Sequence, residues 1–403
     1  MHPSDTIVIG AGQAGLAVSY QLTKHGVDHR VLEKDSIGSS WANRWESFCL
    51  VTPNWSVQLP GFPYDGNDPD GFMPRDEIVA YLERYSASFD SPVQLGAKII
   101  RVAKNADGDF EVILESNERL SARNLIVSTG AYQQPYLPAG VDDLPDHLRI
   151  VDITQYTKAS DLPAGDVLII GSGQTGCQLS EELFEAGHKV VLSCGRAPWG
   201  PRRIAGKDIM WWLIESGFLD VDATTLPSEA RLFANILATG HGGGHDLHYR
   251  TLADMGVILA GRFLGAHEGR ASFAPNLSEC VEWGDARFAQ LREHFGAFAK
   301  AKGIDFPDLL EPEPFQIQGI ESVDLSTFGT VILTGGFRPN YTSWLPWPDA
   351  FDDDGFPKQV DGSSTVVSGL YFVGLHFMRK RKSALLCGVG EDAGVVARQI
   401  ASF

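Results

Sequence analysis

Two stretches decide the fold: TIVIGAGQAG at residues 6–15 and VLIIGSGQTG at residues 167–176. Each is a short apolar run closed by G-x-G-x-x-G. Each leads into a stretch of helical character, Leu16 to Lys24 in the first copy and Cys177 to Glu185 in the second. A second apolar run follows in both, ending VLEK at 31–34 and VVLSCGR at 190–196. Strand, glycine turn, helix, strand is the unit that binds a dinucleotide. Gly10 allows the tight turn, Gly12 lets a pyrophosphate approach the backbone, and Gly15 lets helix and strand pack closely. Gly171, Gly173 and Gly176 repeat the arrangement 161 positions later. The helix N-terminus then presents free N–H groups and a partial positive charge to phosphate. The fold class expected is α/β, with two Rossmann-like, three-layer dinucleotide-binding domains.

The copies differ where specificity is set. Glu33 lies 23 positions after Gly10, where a carboxylate accepts hydrogen bonds from ribose hydroxyls. The same count from Gly171 reaches Cys194, flanked by Ser193 and Arg196, with Arg202 and Arg203 beyond. An acid there would repel a 2′-phosphate, whereas a hydroxyl and an arginine fork bind one. The second site reads as NADP rather than NAD; solvated surface charge is the alternative for these arginines. Two different dinucleotide sites in one chain point to electron transfer between a flavin dinucleotide and a nicotinamide.

The rest of the chain narrows the classes. Its 403 residues allow two to three domains. The formal charge of −18 opposes binding to nucleic acid or to an anionic membrane. Five separated cysteines (Cys49, Cys177, Cys194, Cys280, Cys387) with no C-x-x-C read as reduced thiols, not a redox dithiol or zinc knuckle. No uncharged run approaches the ~20 residues that span a bilayer, and the N-terminus lacks the pattern of an export signal. A cytoplasmic, non-exported protein is expected. The 43 glycines exceed average usage of ~7 per cent, and the dinucleotide turns account for part of that excess.

Five places resemble the flavin-dependent monooxygenases with two dinucleotide-binding domains, the group of flavin-containing N- and S-oxygenases and Baeyer–Villiger enzymes. They are GAGQAG with Glu33, GSSWANRW with Trp41, VSTGAYQQPYLP with Thr129 and Gly130, GSGQTG, and LTGGFRPNYTSWL with Thr334 and Gly335. The tail from Gly369 to Ile400 resembles the closing segment of smaller bacterial members. The resemblance implies an NADPH domain at 156–329 inserted into an FAD domain of 1–155 and 330–403. It implies FAD contacts at Gln13, Ala14, Lys34, Trp41, Val102 and Gly388, a contact of Arg44 with phosphate or nicotinamide, and NADPH contacts at Ser172, Gln174, Thr175, Ser193, Arg196 and Arg203. Trp41 is open to a second reading as core filler, and Arg44 to one as a surface ion pair. Asn54 matches a position where related oxygenases place an amide near the reactive face of the flavin. In this group NADPH reduces FAD, and a flavin hydroperoxide passes one oxygen atom to a small organic substrate. An NADPH-dependent flavoprotein reductase serving a quinone or protein acceptor is the alternative. The partners implied are a small molecule and molecular oxygen, and a homodimer is compatible with them.

Two departures stand out. A strand end that often carries Asp reads Gly374-Leu375-His376, and the fingerprint between the glycine motifs has Asp146 and Asp152 where Phe and His are expected, with His147 out of register. The basic run Arg379 to Lys382 reads either as solvated surface or as a positive rim for cofactor phosphates. The segment 199–269 is rich in apolar and aromatic residues (Trp199, Trp211, Trp212, Phe218, Phe233, Leu237) and is expected to shape substrate access, most of them as core. His241, His245 and His248 carry metal-like spacing, but three consecutive glycines disfavour the helix that would align them. Phe288, Leu291, Phe295 and Phe298 predict an amphipathic helix packed in the NADPH domain, and Val389, Ala393, Val396 and Ile400 predict a last helix.

Overall fold

The structure is a computed structural model and describes residues 4–232 and 235–402. Phe233 lies outside the described residues. The first glycine motif folds as β1 (Ser4–Ile9), α1 (Gln13–Lys24) and β2 (His29–Leu32). Helix α2 (Arg75–Ala87) and β3 (Val93–Gln94) follow, then a meander of β4 (Ile99–Lys104), β5 (Phe110–Leu114) and β6 (Arg119–Val127). The second unit holds β7 (Arg149–Asp152), β8 (Asp166–Ile170), α3 (Gln174–Glu185), β9 (Val190–Ser193), α4 (Ile209–Glu215), α5 (Tyr249–Met255), β10 (Ile258–Ala260), α6 (Leu277–Lys302) and β11 (Phe328–Leu333). The chain ends with β12 (Leu370–Phe372) and α7 (Val389–Ala401).

The strands form two large sheets. The first runs β12-β6-β1-β2-β3 with all neighbours parallel, and the meander branches from β6. The second runs β7-β11-β8-β9-β10, also all parallel. Parallel strands are covered on both faces and so read as continuous apolar runs. Accordingly, every residue of β9 and of β11 is buried. Helix α7 closes the first unit: Val389, Ala393, Val396 and Ile400 join Leu16, Ala17 and Val18 of α1 in one core cluster. In α6, Phe288, Leu291 and Phe295 are buried, and Phe295 packs on the fully buried Trp212.

The second sheet takes in strand residues on both sides of the span 156–329. Strand β7 starts at Arg149 and pairs with β11, Val151 standing opposite Ile332, and β11 continues to Leu333. The segments 128–148 and 334–369 therefore link strands of one sheet to strands of the other. No helix among the described residues is long and apolar enough to cross a membrane.

Candidate active site

One cavity of about 1670 Å³ is lined by both glycine turns. At the first, Gly12 caps α1 without a side chain, which leaves the first-turn N–H groups for an anion. Gly15 lies behind the wall: a Cβ there would sit 2.8 Å from Ser128 Oγ and closer to the Gly10 carbonyl. Glu33 is buried; it accepts hydrogen bonds from Ala11 N at 2.8 Å and Asp35 N at 3.0 Å, and still borders the cavity. Lys34, Ala14, Thr129 and Gly130 border it as well. Gln13 fixes two partners: its Nε2 donates to Ala384 O at 2.9 Å and its Oε1 accepts from Trp41 Nε1 at 2.7 Å. Trp41 is thereby held on the wall, against Phe48.

The second turn repeats the design. Gly173 caps α3 without a side chain, and Gly171, Ser172, Gly173, Gln174 and Thr175 line the cavity. Gly176 lies behind, where a Cβ would be 2.9 Å from Thr334 Oγ1. Thr334 Oγ1 donates to Gly171 O at 2.7 Å, and at the first turn Ser128 Oγ donates to Ile9 O at 2.7 Å. The partner of Thr334 is thus Ser128 and not Thr129; the two strand ends correspond one residue earlier than the T-G pattern indicates. Ser172 is buried, hydrogen-bonded to Tyr249 Oη at 2.6 Å and to Gly195 N at 2.7 Å.

Asn54, Val102, Gly388 and Arg203 stand off the cavity, whereas Ser193 lines it. Asn54 is off the wall and 3% exposed: its Nδ2 donates to Asp68 O at 2.8 Å and its Oδ1 accepts from Met73 N at 2.7 Å. Its amide is spent on the 54–73 loop. Val102 packs in the core behind the meander, and Ala97, Lys98 and Ile99 border the cavity instead. Gly388 sits against Lys382, while Leu385, Leu386 and Cys387 reach the wall. Arg203 is exposed and turned toward Gly243 O. Arg202 is 3% exposed, paired with Asp208 at 2.6 Å, donating to Val51 O and lying over Phe72. Ser193 Oγ donates to Gly261 O at 3.0 Å and accepts from Phe263 N at 2.9 Å.

The basic run is an ion-pair network. Lys380 and Lys382 both bind Asp220 and Glu391, and Arg379 binds Asp361 and Asp392. It is therefore not a positive rim. The three histidines part company: His245 pairs with Glu181 at 2.5 Å, His241 with Glu185 at 3.2 Å, and His248 caps α5. Asp152 accepts a hydrogen bond from Thr154 N at 2.7 Å.

Between the two turns the expected contact Arg44 meets Tyr132 and His376, a grouping that chain spacing did not show. Arg44 borders the cavity with its Nε buried and without a hydrogen-bond partner, its guanidinium 5.5 Å from the Tyr132 ring centre. Burial pushes its pKa down, against the raising effect of Tyr132. The other neighbour of Tyr132 is His376, at 5.0 Å between ring centres; burial pushes this imidazole down to about 4 and keeps it neutral. The orphaned Arg44 Nε and two bare helix N-termini fit a phosphate-bearing, partly anionic group such as FAD or NADPH.

Residues 7–213, half of the chain, match the family model described as pyridine nucleotide-disulphide oxidoreductase. An uncharacterized CzcO-like oxidoreductase from Geobacillus kaustophilus is 31% identical over 401 residues, 99% of each chain. A probable indole-3-pyruvate monooxygenase, YUCCA1 of Arabidopsis thaliana, is 25% identical over 98% of this chain and 89% of its own. A variant of the flavin monooxygenase from Stenotrophomonas maltophilia superposes with a TM-score of 0.70 at 20% identity, covering 100% of this chain and 99% of that one. The family match spans both glycine turns, and the chain belongs to the pyridine nucleotide-disulphide oxidoreductase family.

Proposed function

We propose that this oxidoreductase is an FAD- and NADPH-dependent monooxygenase acting on a small, apolar or aromatic substrate in the cytoplasm. FAD would be held by the first unit (to about residue 148, and from 334 onward) and NADPH by the inserted one. The observation that carries the reading is the single cavity joining both glycine turns, which brings two dinucleotides to a common point. Bound flavin supplies two-electron reduction by NADPH and reaction with oxygen. NADPH, a proton and O₂ would be consumed, and NADP⁺, water and the oxygenated substrate released.

The chain's own part is to hold, orient and keep water out. Gln13 and Trp41 brace one wall, and Arg44 offers a fixed cation in a site of low dielectric. Met210, Leu385 and Cys387 give the apolar wall expected for an apolar substrate. Burial pushes the Cys387 thiol up to about 11, so it stays protonated. The test is NADPH oxidation by FAD-loaded enzyme under ¹⁸O₂ with panels of amines, sulfides and ketones. Label in a product with matched NADPH consumption supports the reading. Rapid turnover with quinones or dyes, and only hydrogen peroxide from oxygen, would replace it with the reductase reading.

A further inference from the structure

The loop from Arg379 to Gly388 carries part of the cavity wall. Ala384, Leu385, Leu386 and Cys387 border the cavity, and Ala384 O is the acceptor that fixes Gln13 and, through it, Trp41. Leu385 and Cys387 pack on the apolar cluster that contains Met210 and Trp212 of α4. Met210 borders the cavity too. This apolar corner is therefore built by both units, the loop from the first and α4 from the inserted one.

What holds the loop in place also comes from the inserted unit. The chain that follows α4 runs antiparallel to the start of the loop: Ala223 N donates to Arg379 O at 2.8 Å, Lys382 N to Leu219 O at 3.2 Å and Arg381 N to Val221 O at 3.3 Å. Asp220, ten positions after Met210, then binds Lys380 at 2.7 Å and Lys382 at 2.9 Å. Both lysines bind Glu391 in the first turn of α7 as well, at 2.9 and 2.5 Å. Arg381 lies between them in sequence, its guanidinium 4.4 Å from the Phe218 ring centre. Partial burial raises the two carboxylates, yet the lysines hold both below their ordinary range. Two cations shared by two acids from different units form a network, which carries weight that a lone surface pair does not.

We infer that Asp220 is a positioning residue: through Lys380 and Lys382 it holds the 379–388 loop, and with it Leu385 and Cys387, against Met210, so that the inserted unit sets the width of the apolar pocket. The pocket's role as the substrate's place rests on the oxygenation reading above. The clamp then makes that pocket selective for small apolar molecules over bulky ones.

The test uses FAD-loaded enzyme and needs no turnover. Cys387 is alkylated with iodoacetamide and with the bulkier, apolar N-phenylmaleimide, and the rate at each cysteine is followed by peptide mass spectrometry. Both reagents react with the thiolate, so a change in ionisation cancels from the ratio of the two rates. D220N is expected to raise the N-phenylmaleimide rate at Cys387 about fivefold and the iodoacetamide rate by less than about twofold, the loosening that follows loss of a partly exposed network. K382M removes a cation that favours the Cys387 thiolate, so electrostatics alone would slow both reagents; the clamp instead requires the same shift in ratio as D220N. D220E should return the ratio toward wild type. Cys49, whose charged neighbours are Arg202 and Glu181, should keep its rates. An unchanged ratio at Cys387 in D220N or K382M overturns the inference, and so does an equal rise at Cys49, which would mean general loosening. If the ratio shifts as expected while no ¹⁸O label enters any product, the positioning stands and the oxygenation reading alone falls.

Discussion

The duplicated glycine turn provides its own control experiment. In G176A, the new methyl group would lie 2.9 Å from both the Gly171 carbonyl carbon and Thr334 Oγ1, and closer still to the Gly171 oxygen. Carbon atoms pack comfortably at about 3.5 Å or more, so α3 must retreat by at least ~0.6 Å from the turn. Overpacking of this kind costs roughly 1–3 kcal/mol of stability. The same retreat pulls the first-turn N–H groups from the pyrophosphate. Losing one charge-assisted hydrogen bond there, about 1.5–3 kcal/mol, raises the NADPH dissociation constant by roughly tenfold to a hundredfold. G15A faces the same geometry, its methyl 2.9 Å from the Gly10 carbonyl carbon and 2.8 Å from Ser128 Oγ. The expected outcome is reciprocal. G176A keeps its FAD, read from flavin absorbance per protein, and loses NADPH affinity in anaerobic titration. G15A loses FAD on gel filtration and, supplied with excess FAD, keeps NADPH affinity. If G176A binds NADPH within about threefold of wild type with unchanged melting temperature, the close-approach argument fails.

Three further predictions concern groups tied up by the protein itself. R202M leaves the buried Asp208 carboxylate without its cation and should cost about 3–5 kcal/mol in urea denaturation; the double variant R202M/D208N should recover most of it, since Asn can still accept from Met210 N. N54A strands Met73 N and Asp68 O, and should lower stability by roughly 2–4 kcal/mol while leaving the ratio of product to NADPH consumed unchanged. A stable N54A that leaks hydrogen peroxide would instead return the amide to the flavin. His248 is held neutral by burial, down to about 4, and its Nδ1 accepts from Thr251 N. The unfolded chain takes up that proton first, so stability falls as pH drops below about 6.5 and levels off under about 4. H248N keeps a cap without the titration, and its melting temperature should decline less than that of wild type across this window.

What was legible in the sequence was whatever the local chain dictates. A turn with its first glycine at φ +101° or +111°, an apolar run buried on two sides and a helix with a small-residue face are settled within about 25 residues, and both copies could be read that way. The fate of a polar side chain is settled by what the fold brings to it. Arg202 and Arg203 are neighbours in sequence, yet one is buried against Asp208 and the other is exposed near Gly243. Asn54 and Ser193 bear the right functional groups at the expected places, but each hydrogen-bonds a loop more than ten residues away. Conversely Arg262, Tyr132 and His376 border the cavity because separate strands end there, with no spacing in the chain to announce it. The departure at Gly374-Leu375-His376 did mark the spot: Leu375 turns into the core and the next residue, an imidazole that burial keeps neutral, faces the cavity.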